Sequence, residues 1–230
     1  MAGGSGTRMG GDLPKQFRSL NGRPVLWWSM KSFRDEDAST GIIIVLPKDY
    51  RELWDEYYRT LPEGDRIPHI TVTGGTTRSE SVKNGLKAVS DAVGKEPGQT
   101  DCLVSIHDAA RPLVTKEMIS RGWKTAAKKG AAIPVIPVSD SLRIADGEGS
   151  KAVDRSKYMA VQTPQVFDLK MLEEAYHRSE GKNFTDDAAV MEHAGHKIEL
   201  FEGSPENFKI TNPKDLAIAE VLMTKECQNT

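Results

Sequence analysis

Five short, β-branched apolar runs, mostly separated by segments long enough for a helix, constrain this chain more than any other feature. Ile42-Ile43-Ile44-Val45-Leu46 is continuous and closed by Pro47, the pattern of a strand buried on both faces. Ile70-Thr71-Val72 ends at Gly74-Gly75, and Leu103-Val104-Ser105-Ile106 ends at His107-Asp108. Ile198-Glu199-Leu200-Phe201 closes at Gly203. The run from Ile133 to Val138 carries Pro134 and Pro137, so it is not expected to be a fully paired central strand. Between the runs lie helical patterns: Val25 to Phe33, Leu53-Tyr57-Leu61 and Val82-Leu86-Val89. Asn212-Pro213-Lys214-Asp215 supplies an N-cap, a proline at the first position and an acid in the first turn. Strand–helix alternation predicts an α/β fold, a Rossmann-like and mainly parallel sheet with helices on both faces. A chain of 230 residues makes one domain over 1–230 the default. Ligands of such sheets bind beyond the C-terminal ends of the strands, so chemistry is expected just after the apolar runs. One segment breaks the rhythm. Asp140 to Val153 is polar, holds Gly147 and Gly149, and reads as a hairpin or projecting β-arm, about 138–156 with its flanks.

Charge and composition exclude several classes. With 31 Lys+Arg against 33 Asp+Glu the net charge is −2, which argues against a basic nucleic-acid binder and against an acidic disordered chain. No run of 18 apolar residues occurs, so no transmembrane helix and no membrane partner are expected. The start lacks an apolar signal region, and Cys102 and Cys227 stand far apart in no CxxC spacing. A reducing, cytoplasmic location is expected.

Three loops carry chemistry. In Gly3-Gly4-Ser5-Gly6-Thr7-Arg8-Met9-Gly10-Gly11, followed by Pro14-Lys15-Gln16-Phe17, glycines let backbone N–H groups cradle phosphate oxygens while Arg8 and Lys15 add charge. It is neither a Walker loop nor a dinucleotide fingerprint, and spacing alone leaves a plain N-terminal turn open. Gly74-Gly75-Thr76-Thr77-Arg78-Ser79-Glu80-Ser81 follows a strand and opens a helix, suiting a base or phosphate or ordinary N-capping. His107-Asp108-Ala109-Ala110-Arg111-Pro112 places a carboxylate at a strand end, where Mg²⁺ would sit between protein and phosphates; Asp108 as a turn cap is the alternative. Asp35-Glu36-Asp37 precedes a strand instead of following one and reads as a solvated turn. His193 and His196 lack the spacing of a zinc pair, and Trp27-Trp28 reads as a core helix face.

In order along Gly3 to about Glu220, the blocks GGSGTRMG…PKQF, GGTTRSESVKNGL, HDAARP, VDR…QTPQVF, FTDDAAV and ENFKIT closely resemble the 2-C-methyl-D-erythritol 4-phosphate cytidylyltransferases. The resemblance implies a nucleotide-diphospho-sugar transferase type of fold and a homodimer formed through the arm. It implies transfer of a cytidylyl group from CTP to a polyol phosphate with Mg²⁺, in non-mevalonate isoprenoid synthesis. By motif, Arg8 and Lys15 neutralise the phosphates in the transition state and Lys209 also touches them. Gly4, Ser5 and Gly6 resemble the phosphate loop, and Gly75, Thr76, Ser81 and Ala109 the rest of the nucleotide site. Asp108 matches the metal ligand, with Arg111 beside it among the substrate contacts. Ser141 and Arg155 match arm positions that grip the polyol phosphate in the neighbouring subunit, and Thr185 and Asp186 the remaining polyol contacts. Two positions depart: Ser141 replaces a threonine, and Thr76 stands where an acid is often found, which shifts cytosine recognition toward backbone groups.

The nearest alternative is a ribitol 5-phosphate (pentitol-phosphate) cytidylyltransferase, which shares the nucleotide half. A nucleotide-binding regulator without activity is disfavoured by the full set of Arg8, Lys15, Asp108 and Lys209, since binding alone does not require transition-state cations. In-line attack on a phosphorus needs positioning and cations, and no Ser-His-Asp constellation suggests other chemistry. One further expectation concerns the start. In this architecture a buried strand should precede the glycine loop, so a natural chain beginning upstream of Met1 is expected.

Overall fold

Each apolar run becomes a strand, and the helical patterns become helices. The protein is seen in a computed structural model that describes residues 1–2, 13–94 and 102–226. Its elements are β1 (Ser19–Leu20), β2 (Arg23–Pro24), α1 (Val25–Glu36), β3 (Ile43–Leu46), α2 (Arg51–Thr60), β4 (Ile70–Thr73), α3 (Arg78–Val93), β5 (Leu103–Ile106) and α4 (Lys116–Lys129). There follow β6 (Ala131–Pro137), β7 (Leu142–Ala145), β8 (Ser150–Val153), β9 (Met159–Val161), β10 (Gln165–Asp168), α5 (Leu169–Arg178), α6 (Asp187–His193), β11 (Glu199–Glu202) and α7 (Pro213–Glu226).

The main sheet has the order β11-β6-β10-β5, with β9 also paired to β6. β6 and β11 pair in parallel, and β10 runs antiparallel to both β6 and β5, so β5, β6 and β11 share one direction. β3 and β4 form a separate parallel pair. The five runs therefore make the parallel members, and the reversed strands β9 and β10 are additions. Adjacent residues of β10 serve opposite faces, as the period of two requires. Phe167 packs with Val82, Leu86, Leu172, Tyr176 and Met191 from α3, α5 and α6. Val166 packs with Phe33, Met118, Ile119 and Phe201 toward α1 and α4. Helices thus cover both faces.

β6 is central despite its prolines, and the register explains why. The Pro134 carbonyl accepts from the Gln162 N–H at 2.9 Å, so its missing N–H points to the same side. On that side β10 partners Ala131 and Ala132 while β9 partners Val135 to Pro137. Pro134 falls at the changeover, where no ladder donor is required.

A third cluster gathers Trp54, Leu46, Leu26 and Trp27 around α1, α2 and β3. Among the described residues no ladder joins β3 to β5; instead Met1 and Ala2 lie in the seam. The Ala2 N–H donates to the Val45 carbonyl at 3.1 Å, and the Met1 carbonyl accepts from the Ala109 N–H at 3.0 Å. The arm is a real hairpin: β7 and β8 pair from Leu142↔Val153 to Ala145↔Ser150 and form a two-stranded sheet of their own. Gly147, at φ +89°, turns it. No described helix is long and apolar enough to cross a membrane.

Candidate active site

The first two strand ends that carry chemistry meet at one cavity of about 280 Å³. Gly75, Thr76 and Arg78 reach it from the end of β4 and the start of α3, and Asp108 and Ala109 from the end of β5. Lys15 and Lys209 complete it. Lys209 is held there by the segment between β11 and α7, where the Ile210 N–H donates to the Ala110 carbonyl at 2.8 Å.

Asp108 is the carboxylate of this cavity. Its Oδ2 lies 3.0 Å from Lys209 Nζ and 3.4 Å from Arg111 Nε. Burial alone would raise its pKa, but Lys209 and then Arg111 outweigh burial and hold the carboxyl well below its usual range. Its backbone is fixed by a directional chain. The Asp108 N–H donates to Thr163 Oγ1 at 3.0 Å, and Thr163 Oγ1 lies 3.1 Å from His107 Nδ1. His107 Nε2 lies 3.0 Å from the Arg111 carbonyl. Burial pushes His107 down to about 3, so the ring is neutral. A neutral ring facing a carbonyl at Nε2 must donate there and accept the Thr163 hydroxyl at Nδ1. Buried Asn207 closes the loop, its side-chain amide donating to the Thr163 carbonyl at 2.9 Å and its main-chain carbonyl accepting from Arg111 at 2.8 Å.

The loop after β4 is equally tied. The Gly75 N–H donates to Ser81 Oγ at 3.0 Å, and the Ser81 hydroxyl donates to the Thr77 carbonyl at 2.9 Å. Glu80 Oε2 accepts from the Thr76 N–H at 2.7 Å and the Thr76 hydroxyl at 2.6 Å. With Thr77 it forms a capping box on α3. A Cβ on Gly75 would stand 2.2 Å from Glu80 Cβ, so only glycine fits beneath that side chain.

Of the residues singled out from sequence, Lys15, Gly75, Thr76, Ser81, Asp108, Ala109 and Lys209 share the cavity, and Arg111 holds Asp108. Gly4, Ser5, Gly6 and Arg8 lie outside the described residues. Ser141, Arg155, Thr185 and Asp186 do not line it. Arg155 donates to the Ser139 carbonyl at the base of the arm, and Asp186 caps α6 by accepting the Ala189 N–H at 2.9 Å. Residues the sequence reading missed are Thr163, Asn207, Gln165, Tyr176 and Asp187; Arg78 appeared only as part of a helix start. No group of three or more His, Cys, Asp or Glu able to hold a metal occurs among the described residues. Asp37 caps α1, and Asp35 pairs with Lys31 at 2.6 Å, a solvated helix end.

A mainly parallel sheet with cations gathered round one carboxylate at its strand ends suits a nucleotidyltransferase, and the comparison with known proteins shows that class. The solved structure of 2-C-methyl-D-erythritol 4-phosphate cytidylyltransferase from Thermus thermophilus superimposes with a TM-score of 0.74 at 34% identity, covering 91% of this chain and 94% of that one. The Francisella tularensis structure of the same description gives a TM-score of 0.76 at 26% identity, over 96% and 95% of the two chains. A Bacteroides thetaiotaomicron protein described as 2-C-methyl-D-erythritol 4-phosphate cytidylyltransferase is 43% identical over 97% of this chain and 97% of its own length. The profile of that family matches residues 1–225, and the chain belongs to the 2-C-methyl-D-erythritol 4-phosphate cytidylyltransferase family.

Proposed function

We infer that the protein transfers the cytidylyl group of CTP to 2-C-methyl-D-erythritol 4-phosphate, giving 4-diphosphocytidyl-2-C-methyl-D-erythritol and pyrophosphate. The convergence of Lys15, Lys209 and Asp108 on one cavity, in a chain of this family, carries the reading. An oxygen of the acceptor phosphate attacks the α-phosphorus, a new P–O bond forms, and the bond to the bridging oxygen of the β-phosphate breaks. Negative charge moves onto the leaving pyrophosphate, so fixed cations do most for the rate. Lys15, with Arg8, neutralises that charge; Lys209 holds the phosphates. Gly4, Ser5 and Gly6 cradle the phosphates, while Gly75, Thr76, Ser81 and Ala109 hold the nucleoside.

Asp108 suits Mg²⁺, which is commonly held by one or two carboxylates with substrate phosphates supplying further oxygens. Its place in the cavity and its ionised state, which Lys209 and Arg111 maintain by approaching Oδ2, support this. Bound there, the ion would neutralise phosphate oxygens. Thr185 and Asp186 contact the polyol, with Arg111, and Ser141 and Arg155 reach the acceptor from the arm of a second subunit. Apolar Ile144, Met159 and Val161, 55%, 44% and 41% exposed on the arm and on β9, support a homodimer. The chain acts as one cytoplasmic domain over 1–230 with its arm.

The test is pyrophosphate release with CTP and each acceptor. Turnover with 2-C-methyl-D-erythritol 4-phosphate and none with ribitol 5-phosphate is expected. The reverse pattern would sink the assignment.

A further inference from the structure

One buried ion pair lies outside the chemistry above yet reaches both halves of the site. Asp187 is fully buried, and Arg78 grips its carboxylate at both oxygens, Nη1 to Oδ1 at 3.1 Å and Nη2 to Oδ2 at 2.5 Å. The Tyr176 hydroxyl donates to Oδ1 at 2.5 Å. Gln165 of β10 fixes the backbone beneath, its Oε1 accepting from the Asp187 and Ala188 N–H groups at 3.2 and 3.1 Å.

Arg78 is the first residue of α3 and lines the nucleotide cavity, with its side chain 33% exposed. A cation in the first turn opposes the helix dipole. Placing it there is a local penalty, and such penalties concentrate at functional sites. Asp187 directly follows Thr185 and Asp186, the acceptor-side positions. Two helix starts, one from each substrate's half, are therefore locked by a single bidentate contact between residues 109 apart in sequence.

We propose that Asp187 is a positioning residue which, through Arg78, holds the acceptor loop in register with the nucleotide loop. This rests on the function given above. A charged pair with one member buried is strongly coupled, because removing either partner strands the other. The carboxylate needs both oxygens occupied, so the α6 start cannot shift without moving Arg78.

The experiment is a double-mutant cycle on the full-length protein with CTP and 2-C-methyl-D-erythritol 4-phosphate. At saturating CTP and well below the melting temperature, Asp187→Asn should lower kcat/KM for the acceptor about tenfold. Arg78→Lys keeps the charge but loses the fork, and should add less than about twofold on the Asp187→Asn background. Tyr176→Phe, which removes one hydroxyl from the same carboxylate, should lower the same constant about threefold with the fold intact, and so decides the matter if Asp187→Asn does not fold. A lowered melting temperature with unchanged constants in whichever of these variants folds, or additive effects in the cycle, would overturn the proposal. An inactive wild type would instead overturn the assignment of function.

Discussion

A carboxylate wedged between Lys209 and Arg111 stays charged far into acid, which is what a hard cation or a phosphate-binding lysine needs beside it. Asp108→Asn is nearly isosteric and should abolish ordinary Mg²⁺-dependent turnover with the fold kept; normal Mg²⁺ titration in that variant would put the ligand elsewhere. Lys15→Ala should lower kcat by ~10²–10³-fold with little change in KM for CTP, as removal of one preorganised stabiliser does. A raised KM at unchanged kcat would demote Lys15 to ground-state binding. His69 sets a different dependence. Trp54 Nε1–H donates to its Nε2 at 2.8 Å, and its Nδ1 faces the Ile67 carbonyl at 2.7 Å, so the ring must be neutral. Burial lowers its pKa below 6.5, as it also lowers that of His107. The unfolded chain then takes up protons first, and stability is full above 6.5 and falls as pH drops below it. Urea midpoints at pH 8 and pH 5 should differ in that sense, and His69→Gln should shrink the difference; a midpoint that rises on acidification would contradict it. At this scale Gly75, Asp108 and Lys209 were legible because each stands in a compact run. Thr163 and Asn207 stand in such runs too, but their roles were not legible, because their partners are 55 and 96 residues away and leave no local spacing.

Elements were legible in proportion to their local signal. α7 announces itself: Asn212 Oδ1 accepts from the Lys214 and Asp215 N–H groups at 2.9 and 3.1 Å. Asn212→Ala should cost about 1 kcal/mol in chemical denaturation, the usual worth of an N-cap. No measurable loss would mean that Asp215, which accepts the Asn212 N–H at 2.9 Å, suffices alone. β10 shows the opposite case. Gln165-Val166-Phe167-Asp168 has only two apolar residues and no alternation, yet it lies between β5 and β6. Both its faces are covered, so period carries no information there. Pro134 misled for a related reason. Sequence gives the missing donor but not the side of the strand on which it falls.

At the scale of the whole molecule the proposed assembly turns on the arm. A two-stranded hairpin is marginal alone, and a two-fold dimer would cover both arms equivalently. Mixing the inactive variants Arg8→Ala and Arg155→Ala should return about a quarter of wild-type activity, since about half the dimers are mixed and each has one intact site. No recovery under confirmed subunit exchange would leave the arm a dimerisation device only. A last consequence comes from the seam between β3 and β5. Among the described residues, the β4–β3 pair is hydrogen-bonded toward the main sheet by Met1 and Ala2 and not by a ladder of its own. Segments of one fold can open with different free energies, and the seam makes β3 and β4 the place to look for an early opening. Amide protons of β3 and β4 should exchange with deuterium before those of β6 and β10, through an opening that leaves the larger sheet closed. The cavity draws residues from both sides of that seam. A nucleotide spanning it would act as a rivet, and CTP should slow exchange in β3 and β4 more than in β6 and β10.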